Sequence, residues 1–181
     1  MSKINSLKIE RKAEQLLKKC GERTLPVNLE KITEYLGIEI RYDDLDDDVS
    51  GFLVVEKGNS TTVINDSHHP NRQRFTIAHE IGHYCLHVKK NEDNALFVDK
   101  KYAIHHRDAD SSLGKYKLER EANLFASMLL MPKNLVRKAV EEHEIDFFDD
   151  SDIFLLARKF GVSEQALGFR LARLEYEVGQ D

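Results

Sequence analysis

The sequence lacks the features that would direct the protein to a membrane or to an oxidising compartment. It holds only two cysteines, Cys20 and Cys85, in 181 residues, which is too few for the disulfide framework of a small secreted protein, and their spacing matches no zinc knuckle. No stretch approaches the ~20 apolar residues that cross a bilayer, and the first segment, MSKINSLKIERK, lacks the apolar core of a secretion signal. These absences predict a cytoplasmic protein without a membrane partner.

The sequence also lacks an excess of positive charge. Its 27 Lys and Arg residues are outnumbered by 32 Asp and Glu residues, so the formal net charge is -5. A dedicated nucleic-acid binder normally carries the opposite balance. The chain has 41% hydrophobic and 33% charged residues, which is typical of a folded globular protein. We therefore expect one main domain, and any contact with DNA would have to be local.

The pattern of apolar residues in the first half of the chain predicts helices followed by a small sheet. Helical spacing is found over residues 7–20 and 26–36. The segments IEIRY, GFLVVEKG and TTVINDS are short and rich in β-branched residues, and the last two are typical of an antiparallel hairpin. The first half therefore predicts an α+β fold with a small antiparallel sheet.

The second half of the chain is predicted to be mainly helical. The segment NRQRFTIAHEIGHYCLHV has one apolar helical face, and KYKLEREANLFASMLLMP resumes that spacing until Pro132 ends it. Between these segments, residues 91–115 lack periodicity and are predicted to form a long loop. Three short helices are predicted after Pro132, at 133–143, 151–160 and 163–176. We thus predict a main domain over residues 1–132 and a helical lobe over 133–181.

The helix RFTIAHEIGHYCLH contains the motif H-E-x-x-H. His79 and His83 are one turn apart, so both imidazoles lie on one face, ~6 Å apart along the axis, and can reach one metal ion. Glu80 lies about 100° around the helix from His79, where its carboxylate is not a ligand but can accept a proton from water at the metal. The motif predicts a catalytic metal site with Glu80 as the base.

A catalytic zinc site takes three protein ligands and keeps one position open. His87 extends the series but lies ~12 Å from His79 along a straight helix, too far to share an ion, so we expect it to support a ligand or to end the helix. Glu119, on the next active-site helix, is the preferred third ligand because it lies nearer that helix's apolar stripe. Asn123, one turn later, can hydrogen-bond a ligand. Glu121 on the same helix is the alternative.

Two segments of the chain, RQRFTIAHEIGHYCLH and EREANLFASMLLMP, resemble the ImmA/IrrE metallopeptidases of bacteria and their mobile elements. The resemblance covers most of the chain, including LPVNLEKITEYLGIEI, SGFLVV and the helical tail. It implies a zincin-like core, similar to thermolysin, over residues 1–132. It also implies one Zn²⁺ per chain with His79, His83 and Glu119 as ligands and Glu80 as the base. Such a ligand set also suits Mn²⁺ or Fe²⁺.

The same resemblance implies a protein substrate, because characterised ImmA/IrrE proteins cleave helix-turn-helix repressors of the Xre type. The expected function is an endopeptidase that cuts such a repressor or an antitoxin and so regulates mobile-element, toxin–antitoxin or stress-response genes. One alternative is a zincin-scaffold regulatory protein that binds or sequesters a repressor or DNA without proteolysis. Another is a protease toxin of a toxin–antitoxin pair. The candidates for stabilising the oxyanion of the transition state lie in the predicted loop: His105, His106 and Arg107.

The segment LLARKFGVSEQALGFRLARLE near the end of the chain predicts a helix-turn-helix shape. DNA contact would then run through Arg170 and Arg173 on its second helix. The acidic neighbours of these arginines and the acidic chain favour a different role for the lobe. We expect it to pack on the catalytic domain or to help dock the substrate, so DNA binding is disfavoured.

Overall fold

The computed structural model describes residues 4–88, 94–100, 109–143, 145–146 and 149–178. Within these ranges the chain forms helices and strands in the following order: α1 (Ser6–Lys19), α2 (Leu29–Leu36), β1 (Ile38–Asp43), β2 (Val49–Glu56), β3 (Asn59–Asn65), α3 (Pro70–His87), β4 (Asn94–Lys100), α4 (Ala109–Leu130), α5 (Lys133–His143), α6 (Asp150–Phe160) and α7 (Glu164–Val178). The predicted α+β class is confirmed. No helix of the described residues is both long and apolar enough to cross a membrane.

The first two helices begin and end where local chemistry directs. The side chains of Asn5 and Asn28 cap α1 and α2 by accepting hydrogen bonds from backbone N–H groups of the first turn. Gly37 ends α2 with φ 70°, a left-handed conformation that glycine adopts without a steric penalty. Both predicted helices are therefore confirmed, with boundaries within a few residues of those expected.

The sheet has four strands in the order β1-β3-β2-β4. The predicted hairpin is present, because β2 pairs antiparallel with β3. The sheet is mixed rather than wholly antiparallel, since β1 pairs with β3 in parallel. The reason is that the chain reverses direction twice, once between β1 and β2 and again in the hairpin, so β3 runs in the same direction as β1.

Part of the predicted loop over residues 91–115 belongs to regular elements. Strand β4 pairs antiparallel with β2 at the sheet edge, and α4 begins at Ala109 rather than near residue 115. The short NALFVDK segment gives little local signal, and its strand conformation depends on hydrogen bonds to β2, which is distant in sequence. The prediction of a long loop with at most short local structure was wrong for these residues.

Helices from both ends of the chain share one hydrophobic core. The main cluster of buried residues draws on α1, α3, α4, α6 and α7, and includes Ala13, Ile81, Phe125, Phe160 and Leu167. A smaller cluster lies between the sheet and the end of α3. The three helices expected after Pro132 are present as α5, α6 and α7. The division of the chain at residue 132 stays a prediction, and the lobe packs directly on the main helices.

Arg170 holds the last helix in this core. Its guanidinium is 1% exposed, donates to the Glu10 carboxylate of α1 at 2.6 Å and donates to the backbone oxygen of Met131 at 3.0 Å. A buried arginine paired in this way cannot reach a phosphate, so the suggested DNA contact through Arg170 was wrong. The tight turn between α6 and α7 at Gly161, with φ 64°, does have the predicted helix-turn-helix shape.

Candidate metal centre

The middle of α3 is buried on all sides, so the ionisable side chains that it carries lie inside the protein. Residues 76–83 are all buried, and His79, Glu80 and His83 are each 1% exposed. A helix that is buried all round lies inside the protein rather than on its surface. Three ionisable side chains in such a place require polar partners, because burying them without compensation costs several kcal/mol.

Gly82 lets α4 approach α3 closely. A Cβ atom at this position would lie 3.1 Å from the backbone oxygen of Ala122 and 3.3 Å from the Cβ of Phe125. Both contacts are tighter than ordinary van der Waals separations. The glycine between Glu80 and His83 therefore allows the helix contact that brings a carboxylate of α4 to the two histidines.

That carboxylate belongs to Glu119. The Nε2 atoms of His79 and His83 are 2.9 Å apart, and the Glu119 oxygens lie 3.2 Å and 3.5 Å from them. One ligand atom from each of the three side chains lies within 4.8 Å of the others. A tetrahedral ion with bonds near 2.1 Å needs ligand atoms ~3.4 Å apart. The three groups therefore have the spacing and the donor types to hold a zinc ion.

The surroundings of Glu119 favour the ionised form of its carboxylate. Burial opposes ionisation, but hydrogen bonds from His79 and His83 outweigh it and lower the pKa of Glu119 to about 2. An anionic oxygen beside two imidazoles near neutral pH is the charge arrangement that a divalent cation requires.

Each histidine has a partner on its second ring nitrogen. Nδ1 of His79 lies 3.0 Å from Oδ1 of Asn123, the residue expected to orient a ligand. An ion on Nε2 requires the proton to sit on Nδ1, and that N–H would donate to the Asn123 oxygen. The structure thus brings Asn123 to the position where it can fix the His79 ring.

His83 is held by a longer chain of contacts. Its Nδ1 lies 3.1 Å from Nδ1 of His87, and Nε2 of His87 lies 3.2 Å from a carboxylate oxygen of Glu121. With Nε2 of His83 on a metal, the protons order themselves in one direction: His83 donates to His87, and His87 donates to Glu121. Burial lowers the pKa of His87, which favours the neutral ring that this order needs.

The alternative ligand, Glu121, therefore contacts His87 rather than the Nε2 atoms of His79 and His83. Glu121 contacts His87 at 3.2 Å and Lys117 at 3.8 Å, whereas Glu119 contacts both His79 and His83. The ring of Phe97 in β4 stacks on His83 with a centroid distance of 4.7 Å. Sequence reasoning missed Phe97 because its segment was expected to be a loop. The candidates His105, His106 and Arg107 lie outside the described residues.

Comparisons with known proteins found a matching family model and related proteins. The family model described as the IrrE N-terminal-like domain matches residues 33–172. Metallopeptidase ImmA of Bacillus subtilis (strain 168) is 29% identical over 132 residues, which cover 73% of this chain and 68% of that protein. The uncharacterized immunity region protein 2 of Bacillus phage phi105 is 28% identical over 106 residues, or 56% of this chain and 57% of the phage protein.

The fold is also found among solved structures. A transcriptional regulator of Mycobacterium tuberculosis superposes with a TM-score of 0.59 and 20% sequence identity, covering 91% of this chain. The matched region is 46% of the regulator's length, so the chain spans less than half of that protein.

Proposed function

Because this chain belongs to the family of the IrrE N-terminal-like domain, we propose that it is a zinc-dependent endopeptidase that cleaves a helix-turn-helix repressor or antitoxin of the Xre type. The observation that carries the proposal is the convergence of His79, His83 and Glu119 within 4.8 Å, together with the burial of Glu80, which follows His79 in the sequence. Three ligands and an adjacent base suit catalysis better than a closed structural site, which takes four protein ligands.

In this proposal, His79, His83 and Glu119 hold the ion. Bound zinc would supply Lewis acidity, both towards the attacking water and towards the scissile carbonyl. Asn123 and the His87–Glu121 pair keep the two imidazoles in the tautomer that leaves Nε2 free to bind. The imidazole and carboxylate ligands also suit Mn²⁺ or Fe²⁺, so metal analysis belongs in the first experiment.

Glu80 moves the protons. Its carboxylate accepts the proton of the attacking water as the water adds to the peptide carbonyl, and then delivers that proton to the leaving amine. The bond that breaks is the peptide C–N bond, and the products are a carboxylate and an amine. His105, His106 and Arg107 are proposed donors to the oxyanion that develops on the carbonyl oxygen.

The substrate class is inferred from the relatives. ImmA of Bacillus subtilis is named as a metallopeptidase, and the name of the phage relative assigns that protein to an immunity region. Together with the resemblance to proteins that cut Xre-type repressors, these names support a cytoplasmic role in regulating mobile-element, toxin–antitoxin or stress-response genes. The reading frame next to this gene is the first place to look for the repressor.

The test uses a helix-turn-helix repressor sought in the neighbouring reading frame, with Glu80→Gln as the decisive variant and Glu34→Gln, an exposed glutamate of α2, as the control. Loss of a general base typically costs 10²–10⁴-fold in rate. We expect the wild type and the control to release two fragments by mass spectrometry, and Glu80→Gln to retain zinc while cleaving at least about 100-fold more slowly.

Two results would contradict the proposal. If the wild type and Glu80→Gln relieve repression equally and leave the repressor intact, the protein acts by binding rather than by cleavage. If the repressor is untouched but other cellular proteins are cut, the protein is a protease toxin and the assigned substrate is wrong.

A further inference from the structure

A large cleft lies between the active-site helices and the last two helices. Its volume is about 1840 Å³, and it is walled by the first half of α3, by α4, by α6 and by α7. Small-molecule sites usually measure 300–1,000 Å³. This space, which we call the α7 cleft, is therefore large for a metabolite and has dimensions closer to those of a polypeptide segment.

The α7 cleft is largely apolar, although it is open to solvent. Its apolar wall includes Phe75, Leu124, Phe154 and Phe169. Phe154 is 47% exposed and Phe169 is 72% exposed. Two solvent-facing phenylalanines in one concave surface leave apolar area in water that burial against a partner would remove. An apolar surface of this kind marks a place where another chain binds.

The charge around the α7 cleft is opposite to that of the whole protein. Among its described lining residues, one is acidic, Glu164, and five are basic: Arg72, Lys117, Arg120, Arg158 and Arg173. The guanidinium of Arg158 lies 5.7 Å from the Phe154 ring centroid, and that of Arg120 lies 5.7 Å from the Tyr116 ring. Because each guanidinium packs against a ring, the wall of the cleft presents aromatic surface and positive charge side by side.

The α7 cleft adjoins the metal centre through the same two helices. Phe75, in its wall, is one turn before His79 on α3. Asn123 also lines the cleft while its side-chain oxygen contacts His79 at 3.0 Å. A chain segment held in the cleft would thus be anchored beside the site where we propose that a peptide bond is cut.

We propose that the α7 cleft docks an acidic, amphipathic α-helix of the protein substrate. Its apolar stripe would contact the phenylalanines, and its flanking Asp and Glu side chains would meet the basic rim. A helix ~10 Å wide rising 1.5 Å per residue fills about 120 Å³ per residue, so the cleft has the volume of roughly four turns. The inference rests on the proposed function only in naming the substrate as the partner.

The apolar, concave lining favours a helix over DNA. A duplex backbone binds through basic groups on a surface that can follow the phosphates, and it gives no reason for exposed phenylalanines in a recess. The basic residue most suited to a recognition helix, Arg170, is buried against Glu10. A DNA duplex is therefore included as a competing probe in the binding experiment.

The test measures binding to the full chain carrying Glu80→Gln, so that any cleavage of a peptide probe is slowed by at least about 100-fold. The probe is a fluorescent synthetic helix of about 15 residues with leucine at i, i+3, i+4 and i+7 and glutamate on both flanks. A second peptide has lysine in place of each glutamate, and a third probe is a DNA duplex of about 20 base pairs. Fluorescence anisotropy gives each Kd.

Two cleft variants are compared with matched variants outside the cleft. Phe169→Ala is paired with Tyr35→Ala, another exposed aromatic residue, and Arg158→Glu is paired with Arg41→Glu, which lies on β1. We expect the acidic helix to bind, with Kd at least about tenfold higher in each cleft variant and within about twofold of the parent in each control. Circular dichroism checks that all four variants fold.

Three outcomes overturn the proposal: no binding of the acidic helix, equal binding of the lysine peptide, or binding of the DNA duplex alone with loss in Arg158→Glu. The proposed function fails separately. If the acidic helix binds through the cleft but the wild type cuts no repressor, docking stands without proteolysis. If the repressor is cut but the acidic helix does not bind, proteolysis stands without this docking site.

Discussion

The candidate metal centre and the α7 cleft share helices α3 and α4 but differ in burial, polarity and charge. At the metal centre, His79 and His83 are 1% exposed and their ring nitrogens lie within 3.5 Å of polar partners. In the cleft, Phe169 is 72% exposed and basic groups surround open space. One region is mostly buried, polar and internally paired, whereas the other is open, apolar and charged at its rim. The contrast indicates that the proposed catalytic site and the proposed docking site occupy different parts of α3 and α4.

The largest effect should come from breaking the ligand set at Glu119. Glu119→Gln removes the anionic carboxylate whose two oxygens each face one Nε2 atom, so zinc affinity should fall by more than the 10–100-fold that loss of an outer-shell partner costs. Glu121→Gln, which alters only the contact with His87, is the control and should stay within that range. Zinc content after dialysis measures both, and the opposite ranking would make Glu121 the third ligand.

A smaller effect is expected from forcing the two helices apart. Gly82→Ala places a methyl group about 3.1 Å from the Ala122 oxygen, and overpacking of this kind costs about 1–3 kcal/mol of unfolding free energy. Gly168→Ala, in α7 with nothing within 4 Å of the added carbon, should leave stability unchanged or raise it. Urea unfolding of the metal-free proteins measures the difference. Equal stability of the two variants would mean that α3 and α4 can relax without Gly82.

The residues behind the histidines should tune metal affinity without abolishing it. Asn123→Ala and His87→Ala each remove the partner of one Nδ1 atom, and each should weaken zinc binding by about 10–100-fold. Competition with a zinc chelator measures the dissociation constants. Asn123 also lines the α7 cleft, so only Asn123→Ala should in addition alter binding of the acidic helix. If both variants bind the acidic helix equally, Asn123 does not contribute to docking in the α7 cleft.

The smallest effect is expected on helix docking in the α7 cleft when the metal is removed. The α7 cleft contains none of the three ligand side chains, so chelation should leave the Kd for the acidic helix within about twofold while repressor cleavage stops. Anisotropy before and after dialysis against a chelator checks this. A larger shift in Kd would show that the two regions are coupled through α3 and α4.

Much of the fold was predictable from local patterns. Helical spacing and capping residues located most of the helices, and the hairpin of β2 and β3 followed from two short β-branched segments around a turn. The parallel pairing of β1 and the strand β4 could not be read locally, because each depends on hydrogen bonds to a strand that is not its neighbour in the chain. The burial of Arg170 was missed for the same reason, since Glu10 lies at the other end of the sequence.

By itself, the sequence determined that His79, Glu80 and His83 lie within about one turn of a helix, because spacing along a helix is set by backbone geometry alone. It also specified the charge balance and the family. Only the tertiary structure decided which carboxylate of α4 meets those imidazoles, because that depends on how closely two helices approach at Gly82. It alone created the α7 cleft, since an open surface between four helices is a property of their packing and leaves no periodic signal in the chain.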